Sequence, residues 1–340
     1  MPDVAADPRS LSLTRLLQRA DIAALMSVAD YLAAAEAGFR CYANGDADVP
    51  LPMQVLGQGG TFHAKGARVA LGRDYVAVKV NGNFPGNPER TGLPTIQGVL
   101  VLCDASSGRV LAVMDAIEIT LRRTAAATAL AARFLAREDA DSIAICGCGA
   151  QGRAQLAALT QVMTPGRVLA WDQDAEAARA FAREMRDALG LDVTALRELH
   201  DATSSSDVIV TSTTARTPFL TRELVPAGAF VAAVGADSPT KNELAPELLA
   251  VATLVVDSLA QCAVMGDLHH AIAAGCMTTA DVHAELGDLV VGRKPGRSDQ
   301  EEITIFDSTG VAVQDTAAAA WIYQRACTAN RGSSIEFGAS

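Results

Sequence analysis

The sequence lacks long apolar runs and paired cysteine motifs. It has no stretch of about 18 consecutive apolar residues, and its first residues lack the charged-then-apolar order of a secretory signal. The 7 cysteines are an odd number and form no C-x-x-C pair, a pattern that is typical of free thiols in a reducing compartment. We therefore expect a cytoplasmic protein without a membrane partner.

Metal-ligand spacing and excess positive charge are also missing. The 5 histidines form no H-x-x-x-H pattern, so we predict no metal, and we expect His269 and His270 to lie on a solvated helix face. Lys and Arg number 28 against 39 Asp and Glu, which gives a net charge of −11. This charge argues against nucleic acid as a partner, although local arginines could still bind a small anionic substrate.

The length of 340 residues suits one large or two ordinary domains. Apolar residues make up 50% of the chain, which is enough for a sizeable core. Residues 1–12 are polar and predicted to be loosely ordered. Periodicity predicts a helix from Ile22 to Ala43, with Asp21 as a possible cap. From Val49 to Met114, short β-type runs separated by turn clusters indicate an α+β unit with a mostly antiparallel sheet.

Strands and helices alternate in the second part of the chain. We predict an alanine-rich helix from Thr124 to Ala136, followed by strands at 142–146, 167–171, 192–195, 207–211, 229–234 and 253–256. Such alternation is typical of a doubly wound parallel α/β sheet. A final helix from Thr316 to Thr328 should return to the first domain. We therefore expect a Rossmann-type domain, 122–310, inserted in a split outer α+β domain, 1–121 plus 311–340.

A G-x-G-x-x-G turn joins the first of these strands to a helix. Gly147 permits a tight turn, Gly149 lets a pyrophosphate approach the backbone, and Gly152 lets the helix pack on the strand. Ala150 and Gln151 complete the helix N-terminus, which favours phosphate. Asp172 follows the next strand, where an acid can bind both ribose hydroxyls and repel a 2′-phosphate. We predict NAD rather than NADP as cofactor; the alternative is a glycine-rich turn that binds nothing.

Further candidates lie outside this turn. Lys79 is a lysine within an apolar strand, and burying it requires an anion such as a substrate carboxylate, although it could instead extend from a sheet edge. Arg123 could form a bidentate pair with a carboxylate, and Thr124 and the helix N-terminus could meet a phosphate; the alternative is a surface arginine pair. Asp237 follows an apolar strand and could move a proton, or simply cap a turn before a proline. Thr213 and Gly235 follow predicted strands and Val234 ends one, at the edge where such sheets hold ligands, and we predict that all three contact the cofactor.

Together these motifs resemble the ornithine cyclodeaminase / μ-crystallin family over essentially the whole chain, to Phe337. The resemblance is carried by Val-Lys79-Val with Phe-Pro-Gly-Asn-Pro, Leu-Ala-Val-Met-Asp115, Thr-Leu-Arg-Arg123-Thr, the glycine turn, Val-Gly-Ala-Asp237 and Glu302-Ile-Thr-Ile-Phe-Asp-Ser-Thr-Gly310. The closing segments look closest to the archaeal-type alanine dehydrogenases of the family. The resemblance implies that the split α+β domain is a dimerisation and substrate domain, whose sheet joins that of a second copy in a shared β-barrel of a homodimer. It further implies a nicotinamide cofactor and carboxylate-bearing substrates. It also implies that Lys79 and Arg123 contact the substrate carboxylate and that Asp237 handles the amine and water.

The chain departs from the family pattern before Lys79. A basic residue that is common in the family is replaced by Gln54, and His63 stands where cyclodeaminases have a glutamate for the side-chain amine. Lys65 could restore the missing charge. We therefore predict NAD(H)-dependent interconversion of an α-amino acid with its imine or 2-oxo acid, of the alanine dehydrogenase or cyclic ketimine reductase type. The alternatives are a cyclodeaminase that recycles NAD in each turnover and a non-catalytic binding protein.

Overall fold

A computed structural model describes residues 13–336, so the expectation for residues 1–12 lies outside the described residues. Contacts within the chain divide it into two compact units, one of residues 1–120 and 312–340 and the other of residues 121–311. The sequence places these boundaries at 121/122 and 310/311.

The first unit is built on an eight-stranded sheet. Its strands are β1 (Leu13–Leu17), β2 (Ala47–Asp48), β3 (Met53–Gly57), β4 (Gly60–Ala70), β5 (Asp74–Asn83), β6 (Ile96–Asp104), β7 (Val110–Asp115) and β16 (Ser333–Glu336). The order is β16-β1-β7-β6-β5-β4-β2, with β3 also paired to β4. All pairs are antiparallel except β1 with β7, as expected for this part of the chain.

The helix predicted from Ile22 to Ala43 is two helices, α1 (Arg19–Leu25) and α2 (Val28–Asn44). Met26 ends the first helix, and Ser27 caps the second, because its hydroxyl accepts from the backbone N–H of Asp30 while the Asp30 carboxylate accepts from the backbone N–H of Ser27. Such a capping box satisfies otherwise unpaired N–H groups and fixes a helix start. The prediction of one continuous helix was therefore wrong. Asp21 does help to cap α1, as the third residue of a capping box whose carboxylate accepts from the backbone N–H of Gln18 at 3.2 Å.

Two more helices belong to the first unit, α3 (Asn87–Thr91) and α12 (Ala312–Thr328). The second begins four residues before the predicted start and is buried over most of its length. It packs against α2 and against one face of β4 and β5.

The alanine-rich helix α4 spans Ala116–Leu135 and begins well before the predicted start at Thr124. Asp115 begins it, because one oxygen of its carboxylate accepts from the backbone N–H groups of Ile117 (2.9 Å) and Glu118 (3.4 Å). Arg123 and Thr124 therefore lie inside the helix. The prediction that Thr124 sits at a phosphate-binding helix N-terminus was wrong, because the amides there are already bonded within the helix.

The second unit contains a fully parallel eight-stranded sheet. Its strands are β8 (Ser142–Cys146), β9 (Arg167–Trp171), β10 (Val193–Ala195), β11 (Val208–Thr211), β12 (Phe230–Ala233), β13 (Thr253–Val256), β14 (Ala284–Glu285) and β15 (Thr304–Asp307). The order is β10-β9-β8-β11-β12-β15-β13-β14. The chain runs outward from β8 in one direction and then in the other, so the order reverses between β8 and β11. This confirms the predicted Rossmann-type fold, and ligands of such sheets bind outside the carboxyl ends of the strands at this reversal.

The helices of the second unit are α5 (Ala150–Leu159), α6 (Ala175–Leu189), α7 (Leu199–Thr203), α8 (Pro246–Ala250), α9 (Leu259–Cys262), α10 (Asp267–Ala273) and α11 (Leu286–Val290). Two 3₁₀ turns lie at Arg222–Leu224 and Thr279–Asp281. Buried aliphatic side chains of the central strands form the core beneath these helices. Within residues 13–336 no single helix has the length and apolarity to cross a membrane; α1 and α2, which meet at 87°, reach that length and composition only as a pair.

Candidate active site

The glycine turn connects β8 to α5 as predicted. Gly147 has a φ of +103°, and a Cβ atom there would come within 2.7 Å of the carbonyl oxygen of Ser212, so only glycine fits. Gly149 precedes the first turn of α5, where no side chain caps the helix, and a Cβ there would meet open space. Uncapped N–H groups beside open space suit a pyrophosphate, so these residues fit a dinucleotide.

Asp172 lies against this turn. One oxygen of its carboxylate accepts from the backbone N–H of Cys148 at 2.7 Å and the other accepts from that of Asp174 at 2.9 Å. The structure thus brings the predicted ribose acid to the glycine turn, at the carboxyl end of β9. Its carboxylate is held in one orientation while the residue stays half-buried, so it could still accept ribose hydroxyls.

Arg153, which the sequence reasoning did not single out, stabilises the glycine turn through hydrogen bonds to its backbone. Its guanidinium donates to the carbonyl oxygens of Cys148 and Gly149 and pairs with Glu184 at 2.6 Å. The two cysteines beside Gly147 are not reactive thiols. Burial raises the pKa of Cys148 to about 12 and that of Cys146 still further, so both stay protonated.

The ends of β11 and β12 carry the other predicted cofactor contacts. The hydroxyl of Ser212 donates to the carbonyl oxygen of Gly147 at 3.1 Å, so the end of β11 is next to the glycine turn. Thr213 and Gly235 are both hydrogen-bonded to the carboxylate of Glu243, which sequence reasoning missed. In the sequence, Glu243 is recognisable only as an acid that precedes Leu244 and lies six residues after Asp237.

Asp237 lies in the loop after β12 and is half exposed. The ammonium of Lys241 donates to its carboxylate at 2.6 Å, and the side chain of Lys241 is mostly buried. The imidazole of His270 contacts the carbonyl oxygen of Lys241 at 2.8 Å and that of His269 contacts the carbonyl oxygen of Ala263 at 3.3 Å. Both histidines are half-buried, so the prediction of a solvated helix face was wrong. The contact of His270 thus reaches the loop that carries Lys241 and Asp237.

Arg123 lies on α4 and is 5% exposed. Its guanidinium fills the space beside Gly310, where a Cβ would come within 2.6 Å of an arginine nitrogen. The carboxylate of Asp257 fixes this segment, because it accepts from the backbone N–H groups of Gly310 at 2.6 Å and Val311 at 3.2 Å. The alternative of a surface arginine is therefore wrong for Arg123.

Lys79 lies on β5 in the first unit and is buried. Its ammonium donates to both carboxylate oxygens of Asp315, on α12, at 2.9 and 2.8 Å, and the two side chains are 4% and 2% exposed. The anion required by its burial is therefore present in the protein itself. The alternative of a lysine reaching out from a sheet edge is wrong, because its burial and its bonds to Asp315 place it inside the unit.

The remaining candidates share the sheet face of Lys79. Lys65 on β4 lies directly opposite Lys79, and His63, two residues earlier, lies opposite Gln54 on β3 and Asn81 on β5. Side chains in register on paired strands share a face, so these residues form one row across the sheet. The row extends from buried Lys79 through half-buried Lys65 and His63 to exposed Gln54. Within the described residues, no group of three or more His, Cys, Asp and Glu side chains is arranged to hold a metal ion.

The sequence pattern of the ornithine cyclodeaminase/mu-crystallin family matches residues 13–330. The chain belongs to this family. Its relatives include the alanine dehydrogenase of Archaeoglobus fulgidus, which is 38% identical over 324 residues, covering 95% of this chain and 98% of that protein. The family resemblance predicted from the motifs is confirmed.

Solved structures of the family agree with the fold throughout. An archaeal alanine dehydrogenase dimer with bound NAD superposes with a TM-score of 0.91 at 38% identity, covering 96% of this chain and 99% of that one. The Thermococcus litoralis Delta(1)-pyrroline-2-carboxylate reductase, in complex with NADH and L-proline, also gives 0.91 at 31% identity, covering 95% and 100%. The Paracoccus denitrificans iminosuccinate reductase with NAD⁺ gives 0.89 at 32% identity, covering 96% and 100%. The named relatives are thus of the predicted class, namely NAD(H)-dependent enzymes of amino acids and imines.

Proposed function

We propose that this chain is an NAD(H)-dependent oxidoreductase that interconverts an α-amino acid with its imine or 2-oxo acid. The observation that carries the proposal is the bond between Asp172 and the glycine turn, which joins a phosphate-binding backbone to a ribose-binding acid. The relatives crystallised with NAD, NADH or NAD⁺ support the choice of cofactor. Bound NAD would supply hydride transfer at the nicotinamide ring.

The side chains of this chain would supply binding and proton transfer. Arg123 is always charged and is held in one place by its packing against Gly310, so it suits a substrate carboxylate. Lys79, held by Asp315, would provide the second positive group. Asp237 would take the proton from the amine, or from attacking water, and return it in the reverse direction. Fixing the carboxylate at two points orients the Cα atom and can lower the barrier by several kcal/mol.

The register of Lys65 opposite Lys79 favours substrates with a second polar or anionic group. The Paracoccus denitrificans relative is named for iminosuccinate, which carries two carboxylates. We therefore include this imine, beside alanine and pyrroline-2-carboxylate, among the first substrates to be tested.

The test is a screen of amino acids and cyclic imines that follows NADH absorbance and ammonia together. Net NADH formation or consumption supports the proposal. Ammonia release without net NADH would indicate cyclodeamination, and inactivity with every compound would indicate a binding protein. Arg123→Ala should abolish turnover and leave NADH binding nearly intact, and near-wild-type rates would remove Arg123 from the site.

We also propose that the chain forms a homodimer through the free face of the first sheet. Val78, Val80 and Val99 share this face with Phe62, and all four are about 40% exposed, whereas α12 packs against the opposite face. An apolar sheet face of this kind is typical of an interface, and the archaeal relative is a dimer. Val80→Lys should convert the protein to a monomer in sedimentation experiments.

For the cell, we propose a cytoplasmic location with no membrane or nucleic-acid partner. All seven cysteines are free thiols, which suits a reducing compartment, and the net charge of −11 disfavours polyanions. Cell fractionation and a nucleic-acid binding assay test this proposal.

A further inference from the structure

Glu243 is a fully buried acid whose partners all lie at the ends of two neighbouring strands. Oε1 accepts from the backbone N–H of Thr213 at 2.6 Å and from its hydroxyl at 2.7 Å. Oε2 accepts from the hydroxyl of Thr211 at 2.7 Å and from the backbone N–H of Gly235 at 2.8 Å. Among the described residues, no lysine or arginine pairs with this carboxylate.

The site around Glu243 is built to hold the carboxylate in place. The backbone N–H of Glu243 and that of Leu244 both donate to Asp267, at 2.8 and 3.0 Å. Gly235 has no Cβ, and one there would collide with the carboxyl group of Glu243. Burial raises the pKa of Glu243, and the four donors oppose this change by stabilising the ionised form. A buried acid is costly, and simple packing would be served by an apolar residue.

The position of these bonds indicates what they serve. Asp172, at the end of β9, marks the adenosine side of the reversal between β8 and β11. A dinucleotide that lies across such a reversal places its nicotinamide half over the strands on the other side, which are β11 and β12. The residues held by Glu243 are the ends of these two strands.

We propose that Glu243 is a positioning residue that fixes the backbone of Thr213 and Gly235 for the nicotinamide half of NAD. It acts through these two loops and does not itself touch the cofactor. The inference rests on the proposed NAD function and adds a residue that neither the glycine turn nor Asp172 would reveal. Because the contacts are specific to one half of the site, its loss should weaken binding of one half of the cofactor only.

The experiment compares whole cofactor with its adenosine half. Glu243→Gln keeps the shape of the side chain but replaces one acceptor oxygen with an NH₂ group, which faces two donors. We expect the Kd for NADH, measured by fluorescence, to rise about tenfold, the equivalent of one or two lost hydrogen bonds. The Kd for ADP-ribose, measured by calorimetry, should change less than about twofold, because this fragment lacks nicotinamide.

Two control variants separate positioning from general damage. Glu247→Gln makes the same chemical change at an exposed site on α8 and should leave both dissociation constants unchanged. Val193→Ala removes buried volume from the edge strand β10, so it should lower thermal stability without the selective loss of NADH affinity. If Glu243→Gln fails to fold, Thr211→Val, which removes one donor to Oε2 at nearly constant volume, should raise the Kd for NADH about threefold and spare ADP-ribose.

Equal losses for NADH and ADP-ribose, or unchanged binding of both, would overturn the role of Glu243. Wild-type protein that fails to bind NADH at all would instead refute the proposed function. In agreement with the proposal, amide hydrogen exchange of Thr213 and Gly235 should accelerate in Glu243→Gln without cofactor present, since their N–H groups lose a buried acceptor.

Discussion

Removing one partner of the buried ion pair between Lys79 and Asp315 should destabilise the first unit by about 3–5 kcal/mol. Both side chains are nearly inaccessible, and the ammonium reaches both carboxylate oxygens. Asp315→Asn keeps the size of the side chain but removes its charge, so the ammonium stays buried without its anion. Breaking one partner of such a pair costs about 3–5 kcal/mol, whereas an exposed pair contributes about 0–1 kcal/mol. For a unit of this size we expect a fall in the melting temperature of about 10 °C.

The same sheet offers a matched control. Arg68 and Asp74 pair at 2.9 Å with side chains that are 37% and 47% exposed, so Asp74→Asn should cost less than about 1 kcal/mol. Thermal and urea unfolding followed by circular dichroism, at one protein concentration, measures both variants. Replacing the whole buried pair, in Lys79→Met with Asp315→Leu, should recover much of the loss because no charge remains buried. If Asp315→Asn costs no more than Asp74→Asn, burial does not strengthen this pair and the reasoning is wrong.

Three further predictions concern the choice of cofactor, the binding of substrate and the dependence of stability on pH. Asp172→Asn should lower the NADH over NADPH ratio of kcat/KM about tenfold or more, because it removes the charge that repels a 2′-phosphate; wild-type preference for NADPH would contradict this. Lys65→Met should raise the substrate KM about tenfold while Gln54→Arg has a smaller effect or tightens binding, and an unchanged KM in Lys65→Met would show that this lysine only lies at the surface. Burial, and then the charge of Glu243, raise the pKa of Asp267 to about 7. An unfolded Asp titrates near pH 4, so the stability that protonated Asp267 contributes is complete below about pH 4 and is lost as pH rises through 7. Asp267→Asn should therefore gain about 1–3 kcal/mol relative to wild type between pH 5 and pH 8 in urea unfolding, and a constant difference would refute the assignment.

The predictable part of the fold was the part encoded by short-range patterns. The strands at 142–146, 167–171 and 253–256 were placed with the bounds that the structure shows, because buried parallel strands are continuous apolar runs bounded by turn residues. The break at Ser27 was missed because the apolar periodicity continues across it. The start of α4 was missed because its capping residue, Asp115, is also the last residue of a strand.

The candidate site was predictable where a motif is local, as in the glycine turn with Asp172. It was not predictable where the partner is distant in sequence. Lys79 and Asp315 are separated by 236 positions, and Glu243 meets Thr211 across 32. Spacing rules describe one helix or one turn, so they cannot show which acid meets which donor through the tertiary fold.

The split of the first unit has a consequence for the order in which the protein folds during synthesis. Strand β1 pairs with β16, so that Leu13 lies opposite Glu336, and α12 covers the sheet. The inserted unit is complete once residue 311 has left the ribosome, whereas the first unit must wait for its last helix and strand. At bacterial or eukaryotic rates of translation, the sheet of β4–β7 remains uncovered for about 10–40 s after its own residues are made. During that interval Lys79 has no Asp315 to meet, so the face of the sheet that α12 covers stays open to solvent until the C-terminal helix has been made.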